Sequence, residues 1–435
     1  MSRSTPFARL GLLLALLLTT LGAPVRAQEG EIVEQAQLEA WTESIKFEIE
    51  VLRGMKFKRP VAVSTANLEQ FIGYVKERME KDTSQEDLEA QELVAKMLGV
   101  IPVEMSLMGT YMKMIESQVG GFYDPNTESF CLMEQYGGDL ARVVLAHELT
   151  HALDDQYYDI DGTLAKIEKN SDRSLAYHAV VEGSGTATQN AWLMTKISEI
   201  DAKQLADAGG IGTAGMEDAP PYLWKPMLGV YLKGAAFLVR SSSIMAGSSK
   251  TPTATDVHIA FKRPPLSTEQ VLHPEKYWDA EKRDDPLPVG FQTERLPEGW
   301  RVLAEDTLGE LGLGFVVEPR AKRSGLKGML QMFTAKYTYP ASEGWGGDRY
   351  LLLARGESRL LLLRTLWDTE ADRVEFAAEM EVQKPHIIEA LQSLAGDGGG
   401  VQVRSFRNAG SEWTMGLGMG VSETEFKDVL GVLLP

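Results

Sequence analysis

Cysteine is nearly absent from this chain of 435 residues, which contains only Cys131. One thiol cannot form an internal disulfide, so the fold depends on core packing and, where one is present, on a bound metal. Basic residues are also scarce, since 44 Lys and Arg oppose 62 Asp and Glu and leave a formal net charge of −18. This acidic balance argues against nucleic acid and anionic membranes as main partners.

Long apolar runs are confined to the N-terminus, where Leu10–Leu21 follows the basic residues Arg3 and Arg9. The segment that ends at Ala27 has small residues at the positions that a signal peptidase reads. The sequence therefore predicts a signal peptide over residues 1–27. An uncleaved anchor is the alternative, but the apolar run is short for a bilayer span. We therefore expect an exported protein, periplasmic or secreted, with no transmembrane segment after cleavage.

The rest of the chain has the composition of a protein with a large core, because 44% of its residues are hydrophobic. Helical periodicity dominates residues 28–290, and strand-like runs with glycine turns follow in residues 300–435. Prolines cluster between them, in residues 281–300. The pattern predicts an α+β fold with a mainly helical first domain, a proline-rich linker and a smaller α+β C-terminal domain.

Apolar spacing, caps and turn residues locate the individual elements. Helices are predicted over residues 31–58, 66–81, 86–98, 105–117, 140–158, 171–200, 222–245, 369–394 and 423–434. Hairpins are predicted over residues 121–133 and 401–417, strands over 350–354 and 360–366, and a loop over 206–221. Asp139 is the expected N-cap of the 140–158 helix, and Pro385 is expected to break or kink the 369–394 helix.

The segment 147–151, His-Glu-Leu-Thr-His, carries the clearest chemical signal. Residues four apart on a helix share one face, so His147 and His151 can reach one metal ion. Glu148 projects beside that ion, where it can accept a proton from a water molecule that the metal activates. Apolar neighbours indicate that the helix is buried, and buried histidines need partners. The sequence therefore predicts a Zn²⁺ site with Glu148 as general base.

The third ligand of a catalytic zinc site must come from elsewhere in the chain. Glu182 fits, on a following helix that could fold back against the first. His178 lies one turn earlier on the same face and is the rival ligand, although we favour it as a transition-state donor. Gly183 and Gly185 cost helix stability, about 1 kcal/mol each relative to Ala. A close approach of two helix backbones around a metal would explain that cost and favours Glu182.

Other residues near the motif have weaker assignments. Asp155 lies one turn after His151 and could hold the second nitrogen of a ligand histidine. Asp154 is more typical of a helix surface. Gly121–Asp124 could form an exposed sheet edge that pairs with an extended peptide, or a plain structural hairpin. Tyr231 has a spacing that is more typical of core than of a pocket wall.

The run from His147 to Gln156 resembles the metal helix of gluzincin metallopeptidases. It is most similar to a poorly characterised set of exported microbial proteins that share a His-Glu-x-x-His-Ala-Leu-x-Asp-Gln signature. The resemblance extends to segments at residues 121–124, 182–183, 265–277, 344–350 and 367–369. It implies a zincin-like domain with Glu182 as third ligand. This chain departs from it at Ser184, where the relatives carry an acidic residue.

Together these features predict an exported zinc-dependent metallopeptidase that hydrolyses peptide bonds in peptide or protein substrates. Zinc would be held by His147, His151 and Glu182, with Glu148 and His178 in catalytic roles. The alternative is a non-catalytic exported protein in which a structural zinc site stabilises a binding or assembly module. The sequence does not indicate an oligomeric state.

Overall fold

A computed structural model describes residues 33–124, 127, 129–167, 170–200, 215–320, 325–326, 329–396, 400–407 and 410–433. The predicted signal peptide, residues 1–27, and most of the loop predicted over 206–221 lie outside these ranges. No helix in the described part of the chain is long and apolar enough to cross a membrane.

Helices make up most of the regular structure. In chain order they are α1 (Gln35–Arg53), α2 (Leu68–Asp82), α3 (Gln85–Met97), α4 (Leu107–Gln118), α5 (Gly138–Tyr158), α6 (Ile160–Leu164), α7 (Ser171–Lys196), α8 (Pro221–Leu238), α9 (Ile244–Ser249), α10 (Ala254–Lys262), α11 (Thr268–Leu272), α12 (Glu275–Trp278), α13 (Gly309–Val317), α14 (Met329–Thr334), α15 (Glu370–Ala395) and α16 (Glu423–Leu433). Short 3₁₀ turns occupy Thr293–Arg295 and Pro340–Ser342.

The strands form two sheets, which confirms the α+β class. They are β1 (Ala62–Ala66), β2 (Gly121–Asp124), β3 (Ser129–Met133), β4 (Arg301–Asp306), β5 (Trp345–Arg355), β6 (Ser358–Trp367), β7 (Val401–Arg407) and β8 (Glu412–Met419). The first sheet has the order β1-β3-β2 and the second has the order β4-β5-β6-β8-β7.

The three-stranded sheet contains the predicted hairpin, because β2 pairs antiparallel with β3 from Gly121 opposite Leu132 to Asp124 opposite Ser129. The sequence did not predict β1, which pairs parallel with β3. β2 lies at the sheet edge, but all four of its residues are buried. The expectation of an exposed edge at Gly121–Asp124 is therefore wrong, since the strand packs beside α5.

The five-stranded sheet is antiparallel throughout and has a buried layer on each face. Along β6, Leu361 and Leu363 belong to the main core. Leu360 and Leu362 face a smaller core that includes Phe426 of α16. Successive strand residues point to opposite faces, so a continuous leucine run is what a sheet covered on both sides requires.

Helices α5 and α7 lie at the centre of the helical part of the chain. Every residue of α5 from Val143 to Asp154 is buried, as expected of a helix that is apolar on all sides. Its N-cap is Gly137, and Asp139 instead lies in the first turn, where it pairs with Arg142. The prediction of Asp139 as N-cap was wrong by two residues. An acidic side chain in the first turn still stabilises the helix through its interaction with the helix dipole.

Two predicted helices differ from the observed ones. The helix predicted over 222–245 ends at Leu238, because Arg240 has a positive φ of 56° that a right-handed helix cannot continue through. A separate helix, α9, then begins at Ile244. The helix predicted over 369–394 does not end at Pro385, since α15 runs past this residue to Ala395.

The predicted boundary between two domains, over residues 281–300, stays a prediction. The main hydrophobic core is continuous from residues before this segment to residues after it. The segment itself makes backbone hydrogen bonds to the C-terminal part, from Leu287 N–H to the Gly346 carbonyl and from Gln292 N–H to the Leu433 carbonyl.

Buried carboxylates concentrate where α7 meets the start of α13. Asp348 is 4% exposed and accepts hydrogen bonds from Leu308 N–H, Gly309 N–H and Trp345 Nε1 at 2.8–3.0 Å. Burial raises the pKa of Asp348 to about 6, although these hydrogen bonds oppose the shift. Burial also raises the pKa of its neighbour Asp172.

This burial predicts that Asp348 stabilises the fold more at mildly acidic pH than at neutral pH. The pKa of Asp348 rises on folding, so the folded state binds this proton more tightly and the contribution of Asp348 to stability falls as the pH increases from about 4 to above 6. The loss is about 3 kcal/mol, from about 1.4 kcal/mol per pKa unit. Denaturant unfolding of the wild type and of Asp348→Asn at pH 4.5 and 7.5 measures it. From the lower to the higher pH the wild type should lose more stability, or gain less, than Asp348→Asn, and an equal change in both proteins would contradict this assignment.

Candidate metal centre

Three buried side chains of α5 and α7 converge on one point. The Nε2 atoms of His147 and His151 lie 2.9 Å apart, and Glu182 Oε2 lies 3.1 Å from the first and 3.3 Å from the second. All three side chains are at most 1% exposed. The helical spacing of the histidines places both rings on the α5 face that meets α7.

The donor set suits a zinc ion. Ligand atoms 2.0–2.2 Å from a tetrahedral ion lie about 3.3–3.6 Å from one another, and the observed separations are close to this range. Two imidazoles and one carboxylate are also ligand types that zinc accepts. Glu182 Oε1 has no hydrogen-bond partner among the described residues, so this buried carboxylate is incompletely satisfied by the protein.

Burial controls the electrostatics of the site. It raises the pKa of Glu182 to about 7, against hydrogen bonds with His147 and Tyr231 that lower it. Burial also lowers the pKa of His151 to about 4. The pKa of His147 is lowered by burial and by the charge of the neighbouring His151 ring. Neutral imidazoles at pH 7 keep the lone pairs that metal binding needs.

Two glycines of α7 explain how the helices approach so closely. A Cβ on Gly183 would lie 2.3 Å from the Gly234 carbonyl carbon of α8, so the two helix backbones are in contact there. A Cβ on Gly185 would lie 2.7 Å from His147 Cε1 and 2.9 Å from His151 Cε1. Gly183 therefore serves an α7–α8 contact that the sequence did not predict, and Gly185 makes room for the histidine rings of α5, as expected of a close approach around the metal site.

Gly185→Ala is expected to weaken zinc binding at least tenfold. The added methyl group overlaps both imidazoles, which are buried and cannot move away. Alanine favours a helix over glycine by about 1 kcal/mol, so lost helix propensity cannot cause the defect. Chelator competition measures the affinity. Gly73→Ala in α2 is a matched control, because a Cβ there meets nothing within 4 Å, and equal zinc affinities in the two variants would contradict the geometry.

The two predicted catalytic residues occupy different places. Glu148 is fully buried and follows His147 on α5. His178 is 1% exposed and lies one turn before Glu182 on α7, near enough for His151 to lower its pKa. Burial is the main cause of that low pKa, about 3.

The ring of His178 donates to the Ser174 carbonyl, and its Nε2 atom has no partner among the described residues. The ring nitrogen that remains is therefore an acceptor in the neutral form. A role as transition-state donor requires the other tautomer, so this role stays a prediction.

Tyr231 of α8 is a site residue that sequence reasoning assigned to the core. Its ring centroid lies 5.9 Å from that of His147, and its hydroxyl hydrogen-bonds with Glu182. It is 5% exposed. Its spacing to Gly234, where α8 touches α7, is the one sequence signal that could have indicated its position.

A buried ion pair lies behind the three ligands. Arg53 of α1 binds Asp154 through two contacts of 2.6 and 3.2 Å. Ser184 Oγ accepts from Arg53 at 2.9 Å and donates to Asp154 at 2.6 Å, and Thr188 Oγ1 lies 3.4 Å from Arg53. The expectation that Asp154 lies on the surface is wrong, since it is fully buried. Ser184, the departure from the resembled signature, is part of this network.

Asp155 does not contact a ligand histidine. Its carboxylate accepts from Ile160 N–H at 3.0 Å and from Tyr123 OH at 3.4 Å, so it holds the start of α6 and the edge strand β2. Burial raises its pKa to about 6. His151 Nδ1, which Asp155 was expected to hold, has no partner among the described residues.

A second group of carboxylates has a protein cation at its centre. Glu269, Asp284 and Asp368 lie 2.6, 2.8 and 3.1 Å from Lys276 Nζ. Among the described residues, this group and the His147 group are the ones whose ligand atoms are close enough to hold one ion. Because the Lys276 ammonium already occupies the centre of the second group, the histidine group is the candidate metal centre.

Comparison with known proteins gives one match. Residues 295–401 match the model of a domain of unknown function (DUF8575). The matched stretch includes β4 to α15 and does not include α5 or α7. No curated protein and no solved structure matches the chain at a significant level.

Proposed function

We propose that this protein is an exported zinc-dependent metallopeptidase that cleaves peptide bonds in peptides or proteins. The proposal depends above all on one observation, the convergence of His147, His151 and Glu182 with donor atoms 2.9–3.3 Å apart. A carboxylate as third ligand, from a helix that follows the His-Glu-x-x-His helix, supports the gluzincin type. Export rests on the signal peptide predicted for residues 1–27.

Three protein ligands favour a catalytic site over a structural one. Structural zinc in proteins usually has four protein ligands, and catalytic zinc has three and an open position. A zinc ion at this point would lower the pKa of a bound water to about 7 and polarise the substrate carbonyl.

Protein groups around this point would supply proton transfer, hold the helices together and orient a ligand. Glu148, next to His147 on α5, accepts the proton of the attacking water and passes it to the leaving amine. Arg53 and Asp154 hold α1, α5 and α7 together behind the ligands. Tyr231, through its hydrogen bond with Glu182, orients the carboxylate.

Complete burial of the site favours a second candidate function. His147, Glu148, His151 and Glu182 are all at most 1% exposed, whereas a catalytic zinc needs an open position that water and substrate can reach. In that case the protein would be a non-catalytic exported binding or assembly module that zinc stabilises. Peptide cleavage distinguishes the two functions.

Glu148→Gln is expected to keep stoichiometric zinc and to lower peptide turnover by about 10²- to 10⁴-fold, the usual contribution of a general base. Glutamine has the same shape but cannot accept the proton. Metal content and cleavage of a peptide library by the purified full chain measure the two effects. Glu43→Gln on the exposed face of α1 is the control and should cleave at the wild-type rate. Stoichiometric zinc with no cleavage by the wild type would favour the structural function.

A further inference from the structure

A second functional candidate is a cavity beside the metal centre, which we call the α7–α13 cavity. It has a volume of about 80 Å³ and lies between α7, α8 and the segment from β4 to α13. Its walls include His178, Asp172 and Leu175 of α7 and Asp306 and Phe315 of the matched DUF8575 region. An engineered cavity of about 150 Å³ holds benzene, so this cavity has room for a group of a few heavy atoms.

The cavity is acidic and has no cation in its wall. Asp172 and Asp306 are 2% and 1% exposed, and no Lys or Arg is among the lining residues. Asp172 accepts from Thr268 N–H and hydroxyl, and Asp306 accepts from Thr307 N–H and from the N–H and hydroxyl of Ser171. These donors are neutral, and a carboxylate has about four acceptor positions, so both carboxylates retain acceptor capacity.

The rest of the wall is aromatic. Tyr111, Tyr222, Phe315 and Tyr350 line it, and the rings of Tyr222 and Phe315 meet edge to face at 5.9 Å. Aromatic faces attract organic cations, and combinations of such rings with carboxylates recognise ammonium groups.

One further acceptor faces the cavity. His178 is 1% exposed and lines the cavity, and its Nε2 atom has no hydrogen-bond partner among the described residues. A buried polar atom without a partner is costly, which indicates that a donor outside the protein belongs there. His178 lies one turn before Glu182, about 6 Å along α7 at 1.5 Å per residue, so the cavity that it lines is close to the metal centre.

We propose that the α7–α13 cavity binds an alkylammonium group, with Asp306 as counter-charge, Asp172 and His178 Nε2 as acceptors and the four aromatic rings as walls. This inference goes beyond peptide hydrolysis and does not depend on it. The ammonium can belong to a free small amine or to a lysine side chain of a bound peptide, since both offer the same group to the cavity.

Two other cavities lie on the side of α8 that leads towards the surface, and neighbouring cavities share wall residues. Leu175, Pro226 and Leu311 also line a neighbouring cavity of about 20 Å³. Lys233 and Tyr337 line both that cavity and a surface groove of about 390 Å³. Lys233 donates to the Ser242 carbonyl at 2.8 Å, so its ammonium already has a partner within the protein.

Calorimetric titration of the zinc-loaded full chain with n-butylammonium tests the proposal. We expect saturable binding of one equivalent, at least tenfold tighter than that of n-butanol, a neutral molecule of similar size. Asp306→Asn should weaken the ammonium at least tenfold, the order expected for losing a hydrogen bond to a charged group. Asparagine can still accept from Ser171 N–H and Thr307 N–H, so the variant should fold.

Two further variants and a peptide pair complete the experiment. Asp155→Asn is the matched control, a partly buried carboxylate with protein donors that does not line the cavity, and it should bind n-butylammonium like the wild type. Phe315→Leu removes one aromatic wall and should weaken binding even if Asp306→Asn does not fold. Displacement of n-butylammonium by a blocked Gly-Lys-Gly peptide, with none by Gly-norleucine-Gly, would assign the ammonium to a lysine side chain. If neither peptide displaces it, the ligand is a free amine.

Three results would overturn the proposal. They are no binding of n-butylammonium to the wild type, equal binding of n-butanol, and unchanged binding in both Asp306→Asn and Phe315→Leu. None of these results depends on peptide cleavage. A failure here therefore leaves the proposed peptidase function untouched, and a loss of cleavage in Glu148→Gln leaves ammonium binding untouched.

Discussion

Glu182→Ala should lower zinc affinity by more than 100-fold. Glu182 supplies the only carboxylate of the convergent group, and its Oε2 atom lies 3.1 and 3.3 Å from the two histidine nitrogens. Loss of an outer partner of a ligand typically costs 10- to 100-fold, so loss of a ligand itself should cost more. Titration with zinc against a competing chelator gives the affinity.

His178→Ala is the matched comparison, because it lies one turn earlier on the same face of the same helix. His178 is outside the group whose ligand atoms are close enough to hold one ion. Its removal should therefore leave zinc affinity within a few fold of the wild type. Tight zinc in Glu182→Ala with loss of zinc in His178→Ala would instead indicate a site with three histidines.

Arg53→Met should destabilise the protein by about 3–5 kcal/mol, the usual cost of removing one partner of a buried ion pair. Asp154 is fully buried and would keep its charge without the guanidinium that lies 2.6 Å away. Ser184 would lose its donor at the same time. Because Asp154 is three residues from His151 and Ser184 two from Glu182, zinc affinity should fall as well.

Denaturant unfolding of the metal-free protein measures the effect of Arg53→Met. The double variant Arg53→Met with Asp154→Leu should recover most of the lost stability, because apolar replacement of a whole buried pair is often neutral or stabilising. Arg301→Met removes an exposed pair with Glu86 and should change the stability little. Equal effects of Arg53→Met and Arg301→Met would show that the buried pair has no special importance.

The parts of the site that follow local rules could be predicted from the sequence. The spacing of His147 and His151 fixes their common face once a helix is assumed, and the structure has that helix. Glu182 was predicted from the gluzincin pattern, and the glycines beside it favoured it over His178. Gly185 does lie against the rings of His147 and His151. The role of these residues as ligands stays a prediction.

The parts that depend on distant contacts could not be predicted. Arg53 lies 101 residues before Asp154 in the sequence, and no local spacing indicates that the two residues form a pair. The position of Tyr231 could not be predicted for the same reason, since only the packing of α8 on α7 brings its hydroxyl to Glu182. Asp154 looked like a surface charge because sequence patterns do not show that α1 covers that side of α5.

The strands, too, divide into those that could be predicted from local sequence and those that could not. Apolar runs and a tight glycine turn predicted β5 and β6, and short hairpin signals predicted β7 and β8, because their pairing partners are neighbours in sequence. β1, over Ala62–Ala66, was missed. It has five residues, of which only Val63 is a large apolar one, and it pairs with β3 from more than sixty residues away.

The most direct test of the metal centre is the zinc content and X-ray absorption spectrum of the purified wild-type chain. We expect one zinc per chain, with two imidazole ligands and nitrogen or oxygen donors at about 2.0–2.2 Å. The spectrum of Glu182→Ala should differ from that of the wild type, and the spectrum of His178→Ala should not. A wild-type chain that binds no zinc, or a first shell with three imidazoles, would contradict a centre made of His147, His151 and Glu182.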